Sequence, residues 1–420
     1  MSPRPGAVRI DDLAVPHFSD EVRAILDFMD EAGSQLNLEP AELMATARAE
    51  TGLEDFGPGD FVERLEVLCY AMREEGSFNG AGVMQQHVFI LGLLKNRLLI
   101  EDLVGRHPEI LDERIVAPII ICGLPRTGTT HLHNLMSADP SLRSLPYWES
   151  LEPVLAGSER PEAGAPDPRL ERTEVALSFL NTALPYFNRM HEMTVGHTHE
   201  EIQLLAIDFS TMLFETTAPM PTWRDAYLSR DQRPTYAYLN KVLKVLQWLR
   251  GGTRWVLKTP QHQEQFPALV ETFPDATFVV THRDPVSVTA SMVTMIAYTA
   301  RLTRDRVDVE GMGSYWADRL ERMLRRCAEE RDALPAERTI DVHFDEFMAD
   351  DLAMVARVYD VASQPLDRRA LNSMASFMAA HPRGRYGAVS YDLSDFGLDA
   401  RERRRALAFY TQRFGVTTEP

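Results

Sequence analysis

The amino-acid sequence predicts an α/β fold, a parallel sheet between two layers of helices, with a helical region added on its N-terminal side. Three observations carry that expectation. Short apolar runs of strand length recur after residue 118 and alternate with helical patterns, which builds a parallel sheet. The first run, Ile119 to Cys122, passes into Gly123-Leu-Pro-Arg-Thr-Gly-Thr-Thr130, the punctuation of a strand, a tight turn and a helix start. Upstream, as far as about Arg114, the pattern is helical and carries no chemical motif. Residues 1–114 are therefore read as a helical region lying over a cleft, and residues 115–420 as the α/β domain.

Within the first region, Ser19 precedes Asp20-Glu-Val-Arg-Ala-Ile-Leu-Asp-Phe-Met-Asp30, a capping hydroxyl followed by apolar positions at helical spacing. Val83 to Val104 predicts a long, largely buried helix. The most apolar stretch there, Val88 to Leu94, stops at Lys95-Asn-Arg97 and is too short to span a membrane. Met1 to Gly6 lacks the apolar core of a secretory leader. A cytoplasmic protein without stable membrane insertion is expected, its oligomeric state open.

Composition narrows the function classes. The 420 residues can bury a substantial core, and 44 Lys and Arg against 62 Asp and Glu give a formal net charge of -18. A nucleic-acid partner would need a basic surface, so none is expected. Cys69, Cys122 and Cys327 lie too far apart for a disulfide framework or a metal pattern and read as reduced core residues. Lysine occurs only at Lys95, Lys241, Lys244 and Lys258, which makes each position worth examining.

The strand candidates are Ile119 to Cys122, Arg254 to Leu257, Thr277 to Thr281 and Thr339 to Phe344, and Leu155 to Arg169, rich in Pro, Gly and Ala, reads as an exposed loop. The turn after the first strand has the outline of a phosphate-binding P-loop. Gly123 and Gly128 have the right separation, but Thr129 stands where a nucleoside triphosphatase places its Lys. The cation has moved inside the loop, to Arg126. There it would face an anion close in, with backbone N–H groups and the Thr129 and Thr130 hydroxyls around it.

Further motifs follow in order. Trp255-Val-Leu-Lys-Thr-Pro-Gln-His262 delivers Lys258 at a strand end. Phe278-Val-Val-Thr-His-Arg-Asp-Pro delivers Arg283, with Ser291 eight residues on in the next helix, so that charge and hydroxyl could hold one phosphate. His381-Pro-Arg-Gly-Arg-Tyr-Gly387 is a basic, glycine-containing loop.

Pro125-Arg-Thr-Gly-Thr-Thr130, with Lys258 and the Arg283/Ser291 pair behind it, resembles the sulfotransferases that use 3'-phosphoadenosine 5'-phosphosulfate (PAPS), over roughly residues 117 to 390. The resemblance implies their three-layer, P-loop-like fold and transfer of a sulfuryl group to a hydroxyl, with 3'-phosphoadenosine 5'-phosphate (PAP) left as product. It implies that Arg126, Thr127, Gly128, Thr129 and Thr130 hold the 5'-phosphosulfate, that Arg283 and Ser291 hold the 3'-phosphate, and that Lys258 assists the leaving group. Arg383 and Gly384 fall on part of the cytosolic members' Arg-Lys-Gly-x-x-Gly pattern, although Pro382 replaces its first basic residue. His131 stands where cytosolic members often place an adenine-stacking Trp.

The reaction also needs a base. Glu149, in Leu145-Pro-Tyr-Trp-Glu149, lies near the place of the general base in the similar protein-tyrosine sulfotransferases, and Tyr147 and Trp148 could desolvate it. The rival is His197-Thr-His-Glu-Glu201, because many sulfotransferases use His; His197 and His199 are its candidates. Thr198 and Glu201 also read as a capping box for an amphipathic helix from Ile202 to Phe214. No third metal ligand is marked by spacing, and no metal is expected. The acceptor is expected to be a small hydroxylated, apolar molecule, with Phe179, Tyr186, Phe187, Met190, Phe209, Met212 and Phe214 as possible lining or as plain core. A P-loop kinase for small molecules, or an inactive nucleotide-binding regulator, are the alternative readings.

Overall fold

The computed structural model describes residues 5–162 and 164–419, so the reading of Met1 to Arg4 as leaderless, and Ala163 of the Pro/Gly loop, lie outside the described residues. Four parallel strands form the central sheet: β1 (Ile119–Cys122), β2 (Val256–Thr259), β3 (Thr277–His282) and β4 (Thr339–His343). Their spatial order is β2-β1-β3-β4. Successive residues face opposite cores, as strand geometry requires. Ile120, Cys122, Leu257 and Val280 enter one apolar cluster, and Ile119, Ile121, Val256 and Val279 the other. Burial on both faces is why these runs read as continuous apolar segments.

Strand β2 begins two residues later than the sequence suggested. Its ladder with β1 pairs Val256 with Ile119 and ends with Thr259 beside Cys122, which puts Lys258 inside the strand, opposite Ile121. The carboxyl ends of β1, β2 and β3 consequently deliver the P-loop, Lys258 and Arg283 to one edge of the sheet. In an open parallel sheet, that edge is where ligands bind.

The N-terminal region holds α1 (Asp20–Gly33), α2 (Pro40–Thr51), α3 (Phe61–Glu74) and α4 (Gly80–Arg106). The Ser19 hydroxyl caps α1 by accepting the Val22 N–H at 3.3 Å. The long helix exceeds the expected span at both ends, starting after Asn79, whose side chain accepts from the Gly82 N–H. This region shares the larger core with the α/β layers: Leu65, Leu94 and Leu98 join the same cluster as Leu257 and Phe278. Two of the four lysines tie the parts together. Lys241 pairs with Glu101 of α4, and Lys244 donates to the Leu111 carbonyl at 2.7 Å.

A buried ionic hub completes the join. The Asp208 carboxylate takes Arg97 at 2.9 Å, Arg64 at 2.7 Å and the Thr235 hydroxyl at 2.8 Å. Arg97 also donates to the Phe56 and Pro58 carbonyls. The same hub explains why the helix expected from Ile202 to Phe214 stops at Ala206. Phe209 adopts φ 52°, in the left-handed region, as the chain turns to present Asp208, and a 3-10 turn follows at Met212–Thr216. All three cysteines are buried and free, as expected.

Replacing Asp208 by Ala strands two buried guanidinium groups, and removing one partner of a buried ion pair costs about 3–5 kcal/mol. Urea unfolding of the Asp208→Ala variant should show a loss of that order; an unchanged midpoint would remove the hub from the account of how the N-terminal helices are held.

Candidate active site

The P-loop turns sharply at two left-handed residues, Arg126 at φ 70° and Gly128 at φ 88°. Such a conformation costs an Arg on the order of 1 kcal/mol, and it persists where the surroundings over-determine it. Arg126 Nε donates to Ser291 Oγ at 3.1 Å, NH1 donates to the Met190 carbonyl, and the Arg126 carbonyl accepts from Arg283 NH1 at 2.7 Å. The two glycines have separate reasons. A Cβ at Gly123 would stand 1.9 Å from Thr281 Oγ1, and one at Gly128 would stand 3.2 Å from the Phe347 ring.

Gly128 also caps α5 (Thr129–Ser137) without a side chain, so the first-turn N–H groups face outward toward any anion. Thr129 and Thr130 line the adjoining cleft. Thr127 differs from them: its hydroxyl donates to the Leu124 carbonyl and meets Thr281 Oγ1, both at 2.7 Å. Its side chain braces the loop, which leaves only its backbone for a ligand.

The cleft has a volume of about 640 Å³ and gathers Arg126, Thr129, Thr130, His197, Arg283 and Arg383. Arg283 follows β3 directly, and Ser291 lies on α6 (Pro285–Ala300), the helix whose first turn Asp284 caps. Ser291 does return to the loop, but its partner is Arg126. The hydroxyl beside Arg283 is that of Ser287, at 3.4 Å. Arg383 donates to the Met348 carbonyl at 3.0 Å and pairs with Asp351, which also accepts from His131 at 2.9 Å. Gly384, at φ 70°, closes the turn that presents Arg383. The lining of this cleft runs from Arg126 to Gly387, and the N-terminal helices share the main core with the α/β layers.

Lys258 is 3% exposed and its ammonium pairs with Glu200. Beside this pair, one nitrogen from each of His191, His197 and His199 lies within 4.8 Å of the others, and His197 Nε2 meets His199 Nδ1 at 3.0 Å. Burial pushes all three below the usual imidazole range, His191 to about 3, with the Lys258 charge adding to the effect. They are neutral near pH 7.

Residues 118–368, more than half of the chain, match the sulfotransferase family. The chain belongs to that family. Two solved sulfotransferases show the same architecture. STF1 of Mycobacterium tuberculosis is 29% identical with a TM-score of 0.76, covering 88% of this chain and 98% of its own. STF9 of Mycobacterium avium is 25% identical with a TM-score of 0.80, covering 90% and 97%. Among curated proteins, the omega-hydroxy-beta-dihydromenaquinone-9 sulfotransferases Stf3 of Mycobacterium bovis and Mycobacterium tuberculosis are each 23% identical over 267 residues, 59% of this chain. The match spans 63% of the length of those relatives.

Glu149 is not among the residues that line the cleft. Its carboxylate is 1% exposed and clamped, Oε2 by Arg143 at 2.6 Å and Oε1 by Arg250 at 3.0 Å. The neighbouring Trp148 ring is likewise covered, by Arg169 and Arg250 at 4.4 and 4.7 Å. Trp148 and Glu149 thus sit within a cluster of ion pairs and cation–π contacts. The capping box also fails, since Thr198 and His199 pair with Pro146 and Leu145 in a short antiparallel ladder. Glu201 instead accepts the Lys258 backbone N–H at 2.8 Å and pairs with His262. Reading Thr198 and Glu201 as a cap hid Glu200, the carboxylate that meets Lys258. The seven apolar acceptor candidates divide as well: Phe209, Met212 and Phe214 enter the main core, and Phe179, Tyr186, Phe187 and Met190 a separate cluster.

Gly123→Ala should cost about 1–3 kcal/mol through its clash with Thr281. Adding Thr281→Ala should recover part of that loss, a coupling readable in a double-mutant cycle; strict additivity would show that the loop tolerates the extra methyl for another reason.

Proposed function

We propose that this chain moves a sulfuryl group from PAPS to a hydroxyl of a small, lipid-like acceptor and releases PAP. The observation that carries the reading is Arg126. It is a part-buried cation held in a left-handed turn, and its partners are neutral, Ser291 Oγ and the Met190 carbonyl. Among the described residues no carboxylate pairs with it. A guanidinium so placed is short of negative charge, and the open helix N-terminus beside it favours the same kind of ligand.

The residues present fit that donor: the side-chain-free cap at Gly128 and the outward amides of α5 suit its 5'-phosphosulfate, and Arg283 and Arg383 suit its 3'-phosphate. Bound there, PAPS supplies the activated sulfuryl group. Arg126 and Lys258 would stabilise charge on the leaving phosphate, electrostatic help that needs no proton transfer from them.

Glu200 is the proton acceptor in this proposal. An incoming phosphosulfate competes for the Lys258 ammonium, which frees a carboxylate next to the site of transfer. His197 and His199, kept neutral by burial, bind or orient the acceptor hydroxyl. The relatives named for an omega-hydroxylated dihydromenaquinone support an apolar alcohol as acceptor. Among the described residues no helix is long and apolar enough to cross a membrane.

Titration calorimetry with PAP and with ATP plus magnesium tests the donor: tight PAP binding is expected, and a preference for ATP with magnesium would replace this reading with that of a kinase. For the base, Glu200→Gln should lower kcat by about 10²–10⁴-fold with PAP affinity kept within a few fold. Glu149→Gln should instead lower stability and leave kcat near wild type; the reverse pattern would return the role to Glu149.

A further inference from the structure

Arg283 has its fork already filled. Nε donates to Glu419 Oε1 at 2.6 Å and NH2 to Oε2 at 2.8 Å, the bidentate geometry in which a guanidinium reads a carboxylate or a phosphate. The Ser287 hydroxyl adds a third donor to Oε2, at 2.9 Å. The remaining nitrogen, NH1, is spent on the Arg126 carbonyl, and the guanidinium carbon lies 4.0 Å from the centre of the Phe344 ring. Four of the five Arg283 N–H donors are thus engaged, including both that form the fork on Glu419.

The Glu419 carboxylate is delivered, not stray. Its backbone N–H donates to Asp284 Oδ2 at 2.8 Å, its carbonyl accepts from Arg404 at 2.9 Å, and Thr417 upstream donates to Asp345 at 3.0 Å. Asp284 is the residue that caps α6, so the helix start that presents Arg283 also anchors the segment that blocks it. Burial alone would raise the Glu419 carboxyl, but the Arg283 guanidinium holds it below the usual range, and it is ionised at neutral pH.

We infer that Glu419 is an intramolecular occupant of the 3'-phosphate subsite, bound to Arg283 and Ser287 between turnovers and displaced by the 3'-phosphate of an arriving nucleotide. The inference rests on the reading of Arg283 as the 3'-phosphate ligand. A phosphomonoester brings more charge and one more acceptor oxygen than a carboxylate, so it wins the exchange when present. Every nucleotide carrying that phosphate must pay the displacement, whereas a nucleotide lacking it leaves Glu419 in place. Glu419 is therefore a specificity-determining residue: it weakens the hold on the spent PAP as well as on the donor, and keeps a part-buried cation compensated when neither is bound.

The test is calorimetry on the full chain with PAP and with adenosine 5'-phosphate, which lacks the 3'-phosphate. In Glu419→Gln and Glu419→Ala, PAP should bind about 2- to 5-fold tighter, the range for a part-exposed ion pair lost from the competitor, with adenosine 5'-phosphate unchanged. Unchanged PAP affinity, or an equal gain for both nucleotides, overturns the inference while leaving the subsite assignment standing. Equal affinity of the wild-type chain for the two nucleotides, together with no loss of PAP binding in Arg283→Gln, would remove the assignment itself and the inference with it.

Discussion

The site depends on how the edge of the sheet is finished at Glu201. Strand β2 is the outermost strand, and the far-side N–H of Lys258 would otherwise be a buried donor without a ladder partner. Glu201 supplies that partner with one carboxylate oxygen and spends the other on His262, whose second nitrogen meets the Tyr236 hydroxyl at 2.8 Å. Burial by itself would raise the Glu201 carboxyl; the His262 imidazole and the donated N–H bonds outweigh it and hold it below the usual range. A carboxylate so placed stabilises the fold at neutral pH and loses that contribution as pH falls through its folded value. Because Glu200 is its neighbour, the bond that closes the sheet edge also sets the carboxylate opposite Lys258.

A second regularity is that the cleft is nearly self-neutralised. Arg283 pairs with Glu419, Arg383 with Asp351 and Arg385 with Glu192, and behind the lining Lys258 pairs with Glu200. An acidic chain with a net charge of -18 can keep a cluster of cations folded only if most of them are compensated, since a buried unpaired charge is expensive. Among the described residues of the cleft, Arg126 and Arg189 pair with no carboxylate, and the neutral partners of Arg126, at the P-loop itself, leave it calling for an anion. Binding a polyanion here is then mostly an exchange of partners. The net gain is smaller than a count of arginines suggests, which favours turnover over tight retention.

Legibility in the sequence followed the length over which each signal is written. The four strands and the P-loop were readable because apolar alternation and the Gly and Thr punctuation are local, and the strand ends then fixed Arg126, Lys258 and Arg283 along one edge. Glu149 reads two ways because its flanking aromatics look the same whether they desolvate a base or pack beside an ion pair, and its partner Arg250, 101 positions away, carries no local signal. Glu200 was hidden by Glu201, whose capping pattern matched a helix that the Asp208 hub does not allow. Glu419 carried no local signal, being one acidic residue among 62 until the fold sets it on Arg283.

Pairing the proposed base, Glu200, with Lys258 has a consequence for the order of events. A free carboxylate beside a bound alcohol gains nothing without a sulfuryl donor, and a bare Lys258 would be costly at 3% exposure. Held together, each keeps the other compensated and inactive. Phosphate oxygens take over the ammonium in the proposed reaction, and the carboxylate loses its counter-ion at the moment when a proton acceptor is needed. In the proposed reaction, donor binding would therefore switch on the base, and acceptor activation would follow it, with no moving lid required.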